Sequence, residues 1–406
     1  MAPETFFLGV FEFAEMRSAV TVAGSLKLLR VCSRIGIGIR IGHGAFPSSS
    51  PSPSSLRAPV GRERPFAPRP IAGRETGTRP TTGPKMTAAT RETAAQSIWE
   101  QITNRYDAAQ ASQASSFTET DTELYEDTSA GLSSTLPPLS YIVKVARRLR
   151  EKPKNASNKP AAKREEKMKN NPFLPPDPEL YVMQLTPTHS LVLNKFNITP
   201  HHVIVITDAF EEQEVPLSAA DFEATWMVVR GMQGEREGVE GGMAFFNRGP
   251  LSGASQPHKH IQCVPLPLMN GMGSPFEGLI RAALSASSDA DASATVSVDA
   301  LPFTHGVRSV VDATPSDVHA AYEAILDGLE ARLRGVWTRD DSYNLLLTKE
   351  YLMVIPRRAE FVESVGANAM GFAGSFFLGT QAEIDDLKRL GPSRVLQGLG
   401  FPSVTD

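Results

Sequence analysis

Three side chains suited to handling a phosphate ester recur at every second position in His258-Lys259-His260-Ile261-Gln262. In an extended strand alternate side chains share one face. Two imidazoles and a carboxamide would then line up together, while Ile261 and Cys263 faced a core. Such a row makes a poor buried structural face, because each group needs a polar partner. It suits a phosphate well. Imidazole is a nucleophile and proton carrier near neutral pH, and the Gln262 amide donates without adding charge. The preceding Ser252-Gly253-Ala254-Ser255-Gln256-Pro257 is a turn able to present backbone N–H groups and two hydroxyls to an anion. The apolar run Met243–Phe246 leads into it as a strand, followed by Asn247. An isolated His-x-His pair is commonly a surface strand or half of a metal site. Here the turn, both histidines and the glutamine occur together, which favours the phosphate reading. With no carboxylate close by, the imidazole pair is assigned no metal.

The stretch from Ser252 to Gln262 resembles the active-site motif of the histidine-triad superfamily in its transferase branch. It is most similar to the diadenosine tetraphosphate phosphorylases, or ATP adenylyltransferases. Hydrolases of the superfamily carry a third histidine where this chain has Gln262, and galactose-1-phosphate uridylyltransferases carry proline where it has Lys259. The resemblance covers residues about 137–406. It implies a nucleotidyltransferase acting through a covalent AMP adduct on His260, with phosphate attacking the adduct so that diadenosine tetraphosphate yields ATP and ADP. Attack through Nε2 requires the proton on Nδ1, which a backbone carbonyl near His258 would fix. Gln262 and the Ser252–Ser255 turn would stabilise charge on the equatorial phosphate oxygens. Gln262 cannot exchange protons at neutral pH, which favours phosphorolysis over hydrolysis.

The same resemblance makes Asn247 and Gln256 ribose or phosphate contacts. It assigns Asn194 and Lys195 to nucleotide or phosphate, Lys152 to substrate in a Lys-Pro context, and Tyr343, Asn344, Lys349, Met353 and Arg357 to the nucleotide or leaving polyphosphate. The fold implied is α+β, histidine-triad-like, with two related lobes of antiparallel sheet flanked by helices. No cofactor is required; a magnesium ion would accompany the nucleotide. Partners are small nucleotides and phosphate, not nucleic acid or membrane. Two other classes stay open: a sugar-nucleotide transferase or phosphorylase, and an inactive nucleotide-binding protein.

Length and composition frame this reading. The chain has 406 residues and a 41% hydrophobic content, enough for a sizeable core. A net charge of −4 gives no general sign of nucleic-acid binding. Cys32 and Cys263 are too few and too far apart for a disulfide scaffold, so a reducing, cytoplasmic setting is expected. No apolar run approaches the roughly 20 residues that span a bilayer.

Residues 1–85 are expected to lie outside the enzyme. Between Glu15 and Met86 only Glu63 and Glu75 are acidic, and 47–84 is dominated by Pro, Ser, Arg, Gly and Thr. Such a segment is expected to be disordered. It reads as a mitochondrial or plastid transit peptide or as sequence ahead of a true start at Met86. Residues 91–110 have helical spacing, 111–136 read as a loop, and Tyr141–Val145 as a strand. The basic stretch 152–170 is a solvated loop or a mobile lid for a polyphosphate. Strands at 190–196 and 202–207 form a hairpin. Ser218, Pro315 and Thr380 open helices with capping signals, and 276–285 is a short helix. Residues 285–300 are taken as a linker between an N-terminal lobe (86–284) and a C-terminal lobe (301–406). The second lobe holds a strand pair at 343–348 and 351–356. Gly366, Gly371 and Gly374 are read as close-packing glycines.

Overall fold

A computed structural model describes residues 88–127, 138–147, 171–234, 238–269, 271–288 and 294–403. The expectations for residues 1–85 and for the whole 152–170 basic stretch, Lys152 included, lie outside them.

In chain order, α1 (Ala88–Ala111) is followed by β1 (Thr120–Asp127) and β2 (Leu139–Ala146). Next come β3 (Tyr181–Thr186), β4 (His189–Leu193) and β5 (Val203–Thr207), then α2 (Ala219–Gly231). The centre of the chain supplies β6 (Gly241–Arg248), β7 (His260–Leu266) and α3 (Glu277–Ser288). The rest adds β8 (Gly306–Ser309), α4 (Pro315–Arg332), β9 (Tyr343–Leu347), β10 (Tyr351–Pro356), the short α5 (Ala369–Phe372), β11 (Ser375–Leu378), α6 (Gln381–Leu390) and α7 (Pro392–Leu399).

Eight strands form one sheet in the order β8-β10-β9-β6-β7-β5-β4-β3. Every pairing in it is antiparallel. Side chains alternate between its faces. On β7, Ile261 and Cys263 join a core with α1, α2 and α4, together with Ala244, Phe246, Leu345, Leu347, Leu352 and Val354. Val264 and Leu266 join a second core on the opposite face, with Met243, Phe245, Leu346, Met353 and Ile355. That second face is covered by α3, α5, α6, α7 and a small sheet in which β2 pairs antiparallel with β1 and parallel with β11. A one-residue slip of β7 would drive His260 and Gln262 into the first core, so burial of Ile261 and Cys263 sets the register of the site.

Three helix starts follow their capping signals. The Ser218 and Asp221 side chains cap each other's backbone N–H, as do Thr314 and Asp317, with Pro315 in the first turn. Thr380 accepts from the Glu383 N–H. The last expected helix does stop at Gly391, but Pro392 starts a further one, α7.

Two readings need correction. Residues 120–127 are a strand, not part of a loop. They pair with β2 along their whole length, and their Thr, Glu and Asp content reflects a mostly solvated face. The 285–300 segment is not a plain linker. α3 runs to Ser288, Val296 bridges to Val307, and Val298 is buried. The halves on either side share one sheet, because β6 pairs with β9 from Ala244↔Leu347 to Arg248↔Tyr343. Two separate sheets would have left a row of unpaired backbone groups on each.

Candidate active site

The reactive stretch enters β7 at its first residue. His260, Gln262 and, by extension, His258 face the side of the sheet away from the α1–α2–α4 core. Ile206 pairs with His260 and Ile204 with Gln262. Phe173 packs against both imidazoles, with ring centroids 5.6 Å from His258 and 5.5 Å from His260. His258 itself precedes the strand and makes an isolated bridge to Glu212.

The two rings are held in defined tautomers. His260 Nδ1 lies 2.8 Å from the His258 carbonyl oxygen. A carbonyl only accepts, so Nδ1 carries the proton and Nε2 keeps its lone pair. Among the described residues Nε2 has no hydrogen-bond partner. His258 has the opposite tautomer: Nε2 donates to the Thr207 carbonyl at 3.0 Å, with Thr207 Oγ1 2.9 Å away, and Nδ1 accepts from Asn171 Nδ2 at 3.0 Å. Burial pushes the His260 ring down to about 4, against support from the His258 carbonyl. His258 is also lowered by burial. His260 is therefore an uncharged imidazole at neutral pH, the form a nucleophile needs.

Gln213 locks the backbone beneath. Its Oε1 accepts from His260 N–H at 2.8 Å, and its Nε2 donates to the carbonyls of Asn247 (2.8 Å) and His260 (3.3 Å). Gln262 is half-buried and lines a cleft of about 360 Å³ with Lys144, Thr199, His202, Phe245, Gly253 and Asn368 among others. His260, on the same face of β7 two residues before Gln262, is not itself part of that lining and is 3% exposed. Gly253 has φ +81°, and a Cβ there would stand 3.2 Å from Asn368 Cβ, so glycine permits the close approach of turn and facing segment.

Residues 88–282 match the family model of the Ap4A phosphorylase N-terminal domain, and residues 299–402 that of the ATP adenylyltransferase C-terminal domain. The chain belongs to the Ap4A phosphorylase/ATP adenylyltransferase family. It is thus a nucleotidyltransferase. A curated relative, diadenosine tetraphosphate phosphorylase 2 of Saccharomyces cerevisiae, is 27% identical over 263 residues, 60% of this chain and 80% of the relative. Solved structures of yeast Ap4A phosphorylase Apa2 share the fold. The complex with Ap4A aligns with TM-score 0.60 at 22% identity, covering 76% of this chain and 99% of that one. The complex with AMP aligns at 0.59 with the same identity, covering 76% and 98%.

The residues expected at the substrate from β6, β9 and β10 are buried, Lys349 of the β9–β10 turn excepted. Tyr343 is fully buried in the helix-side core, its hydroxyl bonded to Tyr322. The Met353 side chain is fully buried in the second core. Lys349 stands in the β9–β10 turn at the end of the sheet away from the 249–257 turn, donating to the Glu240 carbonyl at 2.7 Å. Arg357 is 2% exposed and donates to Asn344 Oδ1 (2.6 Å) and to the carbonyls of Ser252, Ala367, Ala359 and Leu399. Asn247 and Asn344 pair across β6 and β9 at 2.8 Å. Asn247 Oδ1 also accepts from Ala369 N–H, and Asn344 Nδ2 donates to the Ser252 carbonyl. The Ser252 hydroxyl is spent on the Gly249 carbonyl at 2.7 Å. Arg357, Asn247, Asn344 and Ser252 thus tie together the segments that carry Gly253 and Ala367, which line the cleft.

On the first half, Asn194 bonds His202 and Phe196, and the Lys195 side chain is on the surface. Ala254 and Gln256 are half-buried and Ser255 exposed in the turn ahead of His258. Gly366 and Gly371, read as packing glycines, also line the cleft. Missed from sequence were Asn171, Phe173, His202, Thr207, Gln213 and Lys144. Only Lys144, a lone charge inside an apolar strand, and the His201-His202 doublet carried any signal.

Proposed function

We propose that this enzyme phosphorolyses diadenosine tetraphosphate to ATP and ADP through AMP bound covalently to His260. His260 Nε2 forms a bond to the α-phosphorus of one adenylate, and the bridging α–β P–O bond breaks to release ATP. The ring stays protonated on Nδ1, with the His258 carbonyl dipole facing the positive charge that develops. An oxygen of inorganic phosphate then attacks the same phosphorus, the N–P bond breaks, and ADP leaves with His260 neutral again. One displacement between anions is divided into two easier ones.

The observation that carries this reading is the 2.8 Å contact of His260 Nδ1 with the His258 carbonyl. It leaves Nε2 as a poised nucleophile on the face where Gln262 opens to a cleft. Gln262, Gly253, Ala254, Ser255 and Gln256 are assigned to the phosphates and ribose. The yeast relative is named for this substrate, and a solved Apa2 structure contains it.

The test is a product assay with and without phosphate, alongside acid-labile labelling of the protein by AMP. ATP with ADP, dependent on phosphate, and label lost in His260→Ala are expected. ATP with AMP, indifferent to phosphate, would mean a hydrolase.

A further inference from the structure

The chain has glutamine at the third position of its reactive row, yet a third imidazole reaches the site from another strand. His202 immediately precedes β5. Val203 pairs with Cys263 and Ile204 with Gln262, so the His202 side chain rises on the same face as Gln262 and His260. It lines the cleft while being only 8% exposed, with its ring 5.8 Å from that of Phe245.

Its hydrogen bonding is half complete. Asn194 Nδ2 donates to His202 Nδ1 at 3.1 Å and uses its other hydrogen on the Phe196 carbonyl at 2.9 Å. An amide nitrogen only donates, so Nδ1 accepts and the proton sits on Nε2. That Nε2–H is buried and no acceptor among the described residues meets it in hydrogen-bond geometry; its nearest interaction is with the Gln262 carboxamide beside it in the cleft lining, which bears on the ring without closing a well-formed bond. Buried donors are nearly always paired, so one left over in a cleft wall marks a place where something else supplies the acceptor. Burial, with opposition from the Gln262 carboxamide and help from nearby His260 and Lys144, holds the ring at about 4. His202 is a neutral donor at neutral pH.

We propose that His202 is a catalytic residue whose Nε2–H donates to a non-bridging oxygen of the phosphate group attacked by His260. This rests on the adenylyl-transfer reading above. His202 and Gln262 then form a pair of uncharged donors to the phosphate, with Lys144, bonded to Thr199 at 3.2 Å in the same cleft lining, supplying charge. Asn194 becomes a positioning residue: it selects the tautomer that makes His202 a donor.

The experiment compares full-length wild type, His202→Phe and His202→Gln in calorimetric binding of AMP, in turnover of diadenosine tetraphosphate with phosphate, and in thermal unfolding. His202→Phe is expected to weaken AMP binding about tenfold and to lower kcat roughly 100-fold, the scale of a lost oxyanion donor. His202→Gln, which keeps an N–H near the Nε2 position, should recover most of both. Wild-type behaviour of His202→Phe overturns the proposal, as does equal impairment of the two variants in step with their unfolding temperatures. Wild type that binds AMP without phosphorolysing the substrate would overturn the proposed reaction alone, and the AMP contrast between variants would still decide His202. Wild type that does neither overturns both.

Discussion

The Nδ1 of His260 faces the carbonyl oxygen of His258 at 2.8 Å, so a backbone group two residues away decides which nitrogen of the reactive ring is free. Side-chain replacement at His258 cannot remove that carbonyl. Burial holds His260 at about 4 rather than 6.5. Formation of the AMP adduct should therefore be flat from about pH 8 to 5 and fall with a midpoint near 4. Rapid-quench measurement of labelled protein across pH checks this. A midpoint near 6.5 would show that the ring titrates as if solvated.

The same burial bears on stability. His202, His260 and His305 are each pushed down to about 4 in the folded chain, against 6.5 for an open imidazole. Between those values the unfolded chain binds protons that the folded chain does not, so stability rises with pH across about 4 to 6.5 and levels off above. Denaturant unfolding at a series of pH values should show this rise, with proton uptake on unfolding at pH about 5. His305→Phe, away from the cleft lining, should flatten part of the slope. Stability independent of pH over that window would contradict the burial of these rings.

Gln213 joins three backbone groups that no other described side chain serves: the N–H and carbonyl of His260 and the carbonyl of Asn247. Gln213→Leu leaves them buried and unpaired, at a cost of about 1–3 kcal/mol for each group not rescued by water. It should also loosen the nucleophile, lowering kcat more than it raises KM. Urea unfolding with steady-state kinetics separates the effects. A stable variant with unchanged kcat would show that the strand needs no such clamp.

Lys259 lies between the two histidines in sequence and on the other side of the sheet in space. Its ammonium is 2.7 Å from Glu211 and 3.2 Å from Asp221, and Asp221 also meets His189 at 2.9 Å. Burial alone would raise Asp221, but His189, Ser218 and Lys259 together hold it at about 2. The stabilisation from this depressed carboxylate is present above its ordinary value of 3.8 and is lost as pH falls through about 2. Lys259→Met strands a buried carboxylate and should cost roughly 3–5 kcal/mol near neutrality. It should also shift acid unfolding to higher pH, while kcat holds where the variant stays folded. An unchanged acid limb would show that Lys259 contributes nothing to Asp221.

What could be read in the sequence follows from how local each signal is. The face shared by His260 and Gln262 depends on a period of two and on the apolar Ile261 and Cys263, all within a few residues, and the structure places them as that pattern requires. Capping pairs at Ser218, Thr314 and Thr380 are equally local. Gln213 and Asn171 reach the histidines from 47 and 87 residues away, out of loops whose shape no periodicity reports. The continuity of the sheet across the expected lobe boundary is likewise a matter of which edges meet. A strand-end arginine that serves phosphate and one that serves backbone carbonyls look identical in sequence, and the carbonyl partners of Arg357 come from segments 10 and 105 residues away that no local pattern reports.

Arg357 yields the sharpest contrast between a contact role and a building role. Its guanidinium ties the Ser252 turn, Asn344 and the Ala367 segment together, and the neighbouring Gly253 and Ala367 line the cleft. Lysine offers one compact ammonium where the fork of arginine reaches several carbonyls at once. Arg357→Lys should therefore behave almost like Arg357→Met. Both should lower the unfolding temperature by several degrees and raise KM for nucleotide as the cleft walls separate. A direct phosphate contact would give the opposite ranking, with lysine close to wild type and methionine severely impaired in binding at unchanged stability. Nucleotide titration and thermal unfolding of the two variants side by side separate the cases, because charge is retained in one and the hydrogen-bond fork is lost in both.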